Sequence, residues 1–407
     1  MSVRRVVIAS LNALLVLATA LLGAPAHASY PTPDTDPFYA PPTGYESRAN
    51  GTVLRSRSVT ATTLGVPLPA RAAQLLYRTT NADGSATADV TTVMVPLAPW
   101  LGHGRRPVVS YQTAEDSVDS RCAPSYALRA GLPAATSNAA SETTIMASLL
   151  ARGWAVVTSD YQGPDSHFLA GPQEGKGVLD GIRAARSAGF GGLTTQNPVG
   201  LWGYSGGAFA TAWAIQQQPS YAPELTFAGS ALGGIPADLE PAMRVIDGGF
   251  GAGLVMGGMI GLQRAYPSAG LGALFTPAGQ AALDAGSHDC TTDLILRYAF
   301  TPLSRFTVST TPFDDPRLKA VLAANSPLGH GAAPPAPVYS YHAVTDELVP
   351  VAVADRLVAS YCAAGTPVEK VRYPVGEHNQ TLLTGVPGAH DFLARRFAGA
   401  SVVNTCA

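Results

Sequence analysis

The stretch PVGLWGYSGGAFATAWAIQQQ, residues 198–218, decides the reading of the fold. Residues 199–202 form a short apolar run, as a buried strand does. From Ala208 onward the chain continues as a helix. Between the two, Ser205 stands behind Gly203 and ahead of Gly206 and Gly207. A sharp strand-to-helix turn forces unusual backbone angles and close approach, so only glycine-sized neighbours fit. Such a turn lifts the serine hydroxyl to the carboxyl edge of a sheet, beside a helix N-terminus that favours developing negative charge. The chain has 42 glycines, so the pattern alone could be accidental, and the rest of the sequence must supply partners for the serine.

Outward from this turn, strands and helices alternate. Residues 107–112 (PVVSYQ) and 154–161 (WAVVTSDY) read as strands, with a helix over 141–152 between them. Residues 171–189 read as a helix with Val178, Ile182 and Ala185 on one face. LTFAGSALGG and APVYSYHAVTDELVP supply further strands. Earlier, apolar and β-branched residues flank Asn81-Ala82-Asp83-Gly84, a hairpin signal. Before that, a Pro- and Asp-rich segment reads as an extended arm wrapping the domain. The alternation predicts an α/β fold with a mostly parallel central sheet covered on both faces. It breaks down over residues 235–334, which carry helical pieces and are far too long for a plain connection. We read 235–334 as an inserted helical cap or lid, and 29–234 with 335–407 as the core.

A serine hydroxyl is a weak nucleophile at neutral pH and needs a base, itself oriented by a carboxylate. In this fold class the chain order is serine, acid, histidine. Asp346 lies just past a strand ending near Ala343, where a loop would bring it to the edge that carries Ser205. Glu347 is expected to point the opposite way. His378 lies in YPVGEHNQTLL, in a loop after a strand and before a helix. His390 falls inside the last helix and is expected to face solvent or cap a neighbour. His342 falls within a strand and reads as a satisfied, partly buried histidine. The oxyanion formed on attack needs two backbone N–H groups. One belongs to Gly206, and the other to the loop that follows the strand at 107–112 and holds Glu115 and Asp116.

Composition narrows the class. The 407 residues are 46% hydrophobic and 13% charged with net charge −2, which gives a large core and no nucleic-acid surface. Residues 1–28 hold two arginines, a long apolar run and Ala26-His27-Ala28, the pattern of a secretory signal peptide cleaved after Ala28. The apolar, glycine-rich run 248–262 is too short to cross a bilayer. Four cysteines, Cys122, Cys290, Cys362 and Cys406, suggest two disulfides in an exported chain, with three possible pairings. No Cys-x-x-Cys pair is present, so no metal site is expected.

Several ordered motifs resemble the secretory lipase family of α/β-hydrolases. They are YQTAEDSVDSRCAPSYAL, SDYQGPDSHFLAGPQEGKGVLDGIRA, GYSGGAFATAWA followed by SYAPEL, HAVTDELVP and YPVGEHNQTLL, and the similarity runs from about Pro37 to Cys406. The resemblance implies ester hydrolysis, including of triacylglycerols, without cofactor or metal. It implies Ser205, Asp346 and His378 as the triad, and Asp116 with Gly206 as the oxyanion hole. It also selects the pairing Cys122–Cys290 and Cys362–Cys406, the first tying the oxyanion loop to the cap. A yeast member carries a flap beyond its last cysteine; here Ala407 follows Cys406 directly, so no such flap is expected. The expected partner is a lipid or ester, with transient contact at a lipid interface, for a monomeric protein. An extracellular acyltransferase and a non-catalytic binding protein on the same fold remain alternatives.

Overall fold

A computed structural model describes residues 30–406. The expected signal peptide, 1–28, lies outside the described residues. The strands of the central sheet are β1 (Val53–Val59), β2 (Ala70–Thr80), β3 (Ala86–Pro96), β4 (Val108–Gln112), β5 (Ala155–Ser159), β6 (Val199–Tyr204), β7 (Gly229–Gly233), β8 (Val338–Ala343) and β9 (Val368–Tyr373). They lie in the order β1-β2-β3-β5-β4-β6-β7-β8-β9. The first three form antiparallel ladders, and the hairpin expected around Asn81 joins β2 to β3. From β5 across to β9 every neighbour is parallel. This is the mostly parallel sheet of an α/β-hydrolase.

Alternation along the strands separates two apolar layers. Val199 and Leu201 face one side, with α3 (Gly171–Ser187), α4 (Gly206–Tyr221) and α10 (Val351–Ala363). Trp202 and Tyr204 face the other, with α1 (Pro124–Ala130), α2 (Asn138–Ala151) and α12 (Val386–Phe397). Val178, Ile182 and Ala185 are buried on α3 as the periodicity expects. Helix α2 begins earlier than expected because Ser137 caps it, its side chain accepting from the Ala139 N–H. The amino-terminal arm is tied down by Asp36, which pairs with Arg57 at 2.6 Å and Arg129 at 3.1 Å.

Between β7 and β8 the chain adds no strand to the sheet among the described residues. It forms α5 (Leu239–Ile246), α6 (Ala252–Ala265), α7 (Pro277–Gly286), α8 (Thr291–Tyr298) and α9 (Pro316–Asn325). Their apolar faces share one cluster with Val118, Phe168, Leu169, Phe209 and Trp213 of the sheet-forming part. Glycines on α6 allow this contact: a Cβ on Gly261 would stand 2.4 Å from the Phe168 carbonyl oxygen, and one on Gly253 2.2 Å from that of Leu294. Cys122–Cys290 and Cys362–Cys406 are the two disulfides, and the first joins the segment after β4 to the start of α8. Arg264 of α6 donates to the carbonyls of Val118 and Asp165, and to Ser287 between α7 and α8.

Candidate active site

Ser205 is the residue between β6 and α4, with φ 53° and ψ −123°. Few non-glycine residues adopt such angles, and they cluster where function requires strain. The surroundings leave no slack: a Cβ on Gly203 would meet the Gly207 carbonyl oxygen at 2.1 Å, and one on Gly207 the Gln112 carbonyl oxygen at 2.0 Å. The Ser205 N–H donates to the Gly233 carbonyl at 2.8 Å, so β7 anchors the turn from the side.

His378 and Asp346 converge on this turn. His378 Nε2 lies 2.8 Å from Ser205 Oγ, and Nδ1 lies 2.7 Å from Asp346 Oδ2. The ring is nearly fully buried. His378 is the first residue of α11 (His378–Thr384) rather than part of a loop, because Glu377 and Gln380 form a capping box there. Asp346 Oδ1 accepts the N–H groups of Leu348 and Val349 at 3.0 and 2.8 Å. Burial alone would raise the Asp346 carboxyl. Hydrogen bonds from His342, His378 and the Val349 N–H outweigh it and hold the group well below the usual carboxylate range.

Asp116 sits opposite, at φ 40°. A Cβ on Gly206 would stand 1.9 Å from Asp116 Oδ1, so the Asp116 carboxyl packs directly on the Gly206 backbone. That contact is why residue 206 must lack a side chain. Among the described residues neither the Asp116 nor the Gly206 N–H is engaged by another group. Burial pushes the Asp116 carboxyl up to about 6, while the charge of His378 pulls the other way. Ser205, Gly206, Asp116 and His378 open into a narrow cavity of about 60 Å³. Its walls are apolar: Phe168 and Leu169 from the segment before α3, Leu239, Ala242, Met243 and Ile246 from α5, Leu254 from α6, and Leu348 and Val349.

Three expectations need correction. Glu347 does not point away: its Oε2 accepts the His378 N–H at 2.9 Å. Residues 344–349 form a turn, so the strand rule that neighbours face opposite ways does not apply. His390 neither faces solvent nor caps: it is buried on the far side of the sheet between Trp154 and Trp202. There Arg152 Nε donates to its Nδ1 at 3.0 Å, and burial, then the Arg152 charge, push its pKa down to about 4. His342 is completely buried rather than partly, and it touches Asp346. Tyr204 was not singled out by the sequence; its hydroxyl donates to the His378 carbonyl at 2.6 Å and braces the residue that faces Ser205.

Comparison with known proteins gives this geometry a context. Residues 128–405 match the model of the family described as secretory lipase. The chain belongs to the secretory lipase family. Among its relatives, a Mycobacterium tuberculosis (strain CDC 1551 / Oshkosh) protein named as a probable inactive lipase is 40% identical, over 90% of this chain and 83% of the relative. Lipase A of Arthroderma benhamiae is 36% identical, over 92% of this chain and 81% of its own length. Candida antarctica lipase A in its closed state superposes with TM-score 0.86 at 33% identity, covering 93% of this chain and 90% of that one. A secretory family and two disulfides are the marks of an exported protein.

Proposed function

We propose that this secretory lipase is a secreted carboxylic ester hydrolase acting on triacylglycerols and related esters through an acyl-enzyme. One observation carries the proposal: Ser205 Oγ, His378 Nε2 and His378 Nδ1–Asp346 Oδ2 form an unbroken chain of hydrogen bonds at the mouth of an apolar cavity. His378 takes the Ser205 proton as Oγ attacks the ester carbonyl. The N–H groups of Gly206 and Asp116 hold the oxyanion. The C–O bond to the alcohol breaks as His378 returns the proton to it. Water, deprotonated by His378, then attacks the acyl-enzyme, and His378 returns that proton to Ser205 Oγ as the acyl C–O bond breaks and the acid leaves.

A cavity of about 60 Å³ is far below the roughly 300–1,000 Å³ usual for ligand sites. We therefore assign residues 235–334 as a lid that must shift to admit an acyl chain, the lining helix α5 first. Exposed Val245 on α5, Phe250 and Phe300 surround this part, the two phenylalanine rings 6.3 Å apart, and Phe300 holds φ 60°. They are the side chains that would meet a lipid surface. We further assign residues 1–28 as the signal peptide, and the mature protein as a monomer.

One relative's name as a probable inactive lipase keeps the binding-protein reading in view. A fluorophosphonate should label Ser205 in the mature chain, and labelling should be abolished by Ser205→Ala. Unlabelled protein would sink the enzyme reading. p-Nitrophenyl esters of increasing chain length, assayed below and above aggregation, then separate lipase from esterase by a rate jump at aggregation. Transfer of the acyl group to an added alcohol at the expense of free acid would instead favour the acyltransferase.

A further inference from the structure

His342 stands on β8, four residues before Asp346. Its Nε2 lies 2.9 Å from the Val349 carbonyl oxygen and 3.3 Å from Asp346 Oδ2. Both neighbours are acceptors, so Nε2 carries the ring proton. Nδ1 is buried and has no partner among the described residues. A proton there would be a donor stranded in the core, so the ring donates through Nε2. Oδ1 of Asp346 accepts two amides, and Oδ2 faces two imidazoles. Through the Val349 carbonyl, His342 ties down the turn whose amides hold Oδ1, and its Nε2 stands beside Oδ2.

We propose that His342 is a positioning residue for Asp346: its Nε2–H, donated to the Val349 carbonyl, closes the turn that carries the carboxylate and stands 3.3 Å from the oxygen that faces His378. The inference rests on the triad reading above. The other groups around the pair are already committed. Glu347 accepts from the His378 N–H, and Tyr204 donates to the His378 carbonyl. Asp116 lies across the cavity mouth. Arg372, the register partner of His342 on β9, is spent on Asp355 and the Ser340 carbonyl.

Three variants test it. His342→Gln puts an amide donor near the present Nε2, His342→Asn puts it short of that point, and His342→Phe fills the space with no donor. The Phe and Asn variants should lose roughly 10- to 100-fold in kcat, the loss typical of removing an outer hydrogen-bond partner, with KM little changed. Gln should restore most of it. In parallel, the His378 ring titration followed by NMR should move to higher pH in the Phe and Asn variants, because a less compensated Asp346 favours the imidazolium. It should stay near wild type in the Gln variant. Equal losses in Gln and Asn with an unmoved His378 titration would overturn the proposal and make His342 a space-filling residue. If the Phe variant does not fold, the Gln and Asn pair decides alone. The NMR titration reads out whether or not esters are cleaved. A moving midpoint in a chain that cleaves no ester sinks the hydrolase reading alone, and an unmoved midpoint in an active chain sinks the positioning role alone.

Discussion

The sheet edge and the helical segment above it meet at the same cavity but are held differently. On the sheet side, Ser205, His378 and Asp346 are joined and anchored by directional contacts of 2.7–3.0 Å, with backbone strain at Ser205 and Asp116. On the α5 side, Leu239, Met243 and Ile246 meet the cavity through apolar contacts with no directional preference. Chemistry needs positions held to a fraction of an ångström, whereas admitting a chain of variable length needs a wall that can give. The contrast is not uniform along the segment. Helix α6 is held by its glycine contacts, Arg264 and the nearby disulfide, whereas α5 and the loop after it are tied at their edges, where the Leu239 N–H donates to Ser326, Arg244 pairs with Asp314 and Asp247 accepts the Leu303 N–H.

The largest effects should fall on the sheet side. Ser205→Ala should lower kcat by about a million-fold, and Asp346→Asn by about ten-thousand-fold, measured on a soluble short-chain ester. Losses below a hundred-fold in either would break the claim that this side performs the chemistry. Releasing the strained turn gives a second measure. Ser205→Gly should unfold at higher denaturant than Ser205→Ala, by roughly 1 kcal/mol, because glycine accepts the backbone angles that alanine resists. No difference would mean the turn stores no strain.

Cutting the tie between the two sides comes next. Replacing Cys122 and Cys290 with serine should cost about 2–5 kcal/mol in equilibrium unfolding, since the bridge closes a loop of 168 residues. Residual rates on short esters should survive at temperatures where the fold persists. Within the wall, Met243→Ala and Ile246→Ala should change the ratio of long- to short-chain kcat/KM by roughly 10-fold while leaving the pH–rate profile in place. A shifted profile would mean that the wall also sets the positions of the titrating groups.

The smallest effect concerns pH. Burial pushes up the carboxyls of Asp116 to about 6, Asp160 to about 7 and Glu142 to about 8. The folded state therefore keeps protons that the unfolded chain releases near pH 4. Stability from these groups is present below that pH and is lost as pH rises through 6 to 8. Asp346 acts in the opposite sense: its depressed carboxyl adds stability above the ordinary aspartate range, lost as pH falls. Melting curves should give a higher Tm near pH 5 than at pH 8. A Tm that rises steadily to pH 8 would contradict it.

The sequence carried the strand–serine–helix turn, the sheet class, and the order Ser205, Asp346, His378, because each depends on short-range sterics or on the fixed topology of the sheet. Family resemblance added the disulfide pairing and Asp116. What only tertiary structure decided lies in contacts between distant, irregular segments. Glu347 reaches the His378 backbone across 31 positions, through a turn with no periodicity to reveal it. His342 reads as one more residue in an apolar strand until the loop after β8 folds Asp346 back over it. The cavity's size follows from how closely α5 packs against Phe168 and Leu169, a sum of small non-directional contacts that no motif encodes.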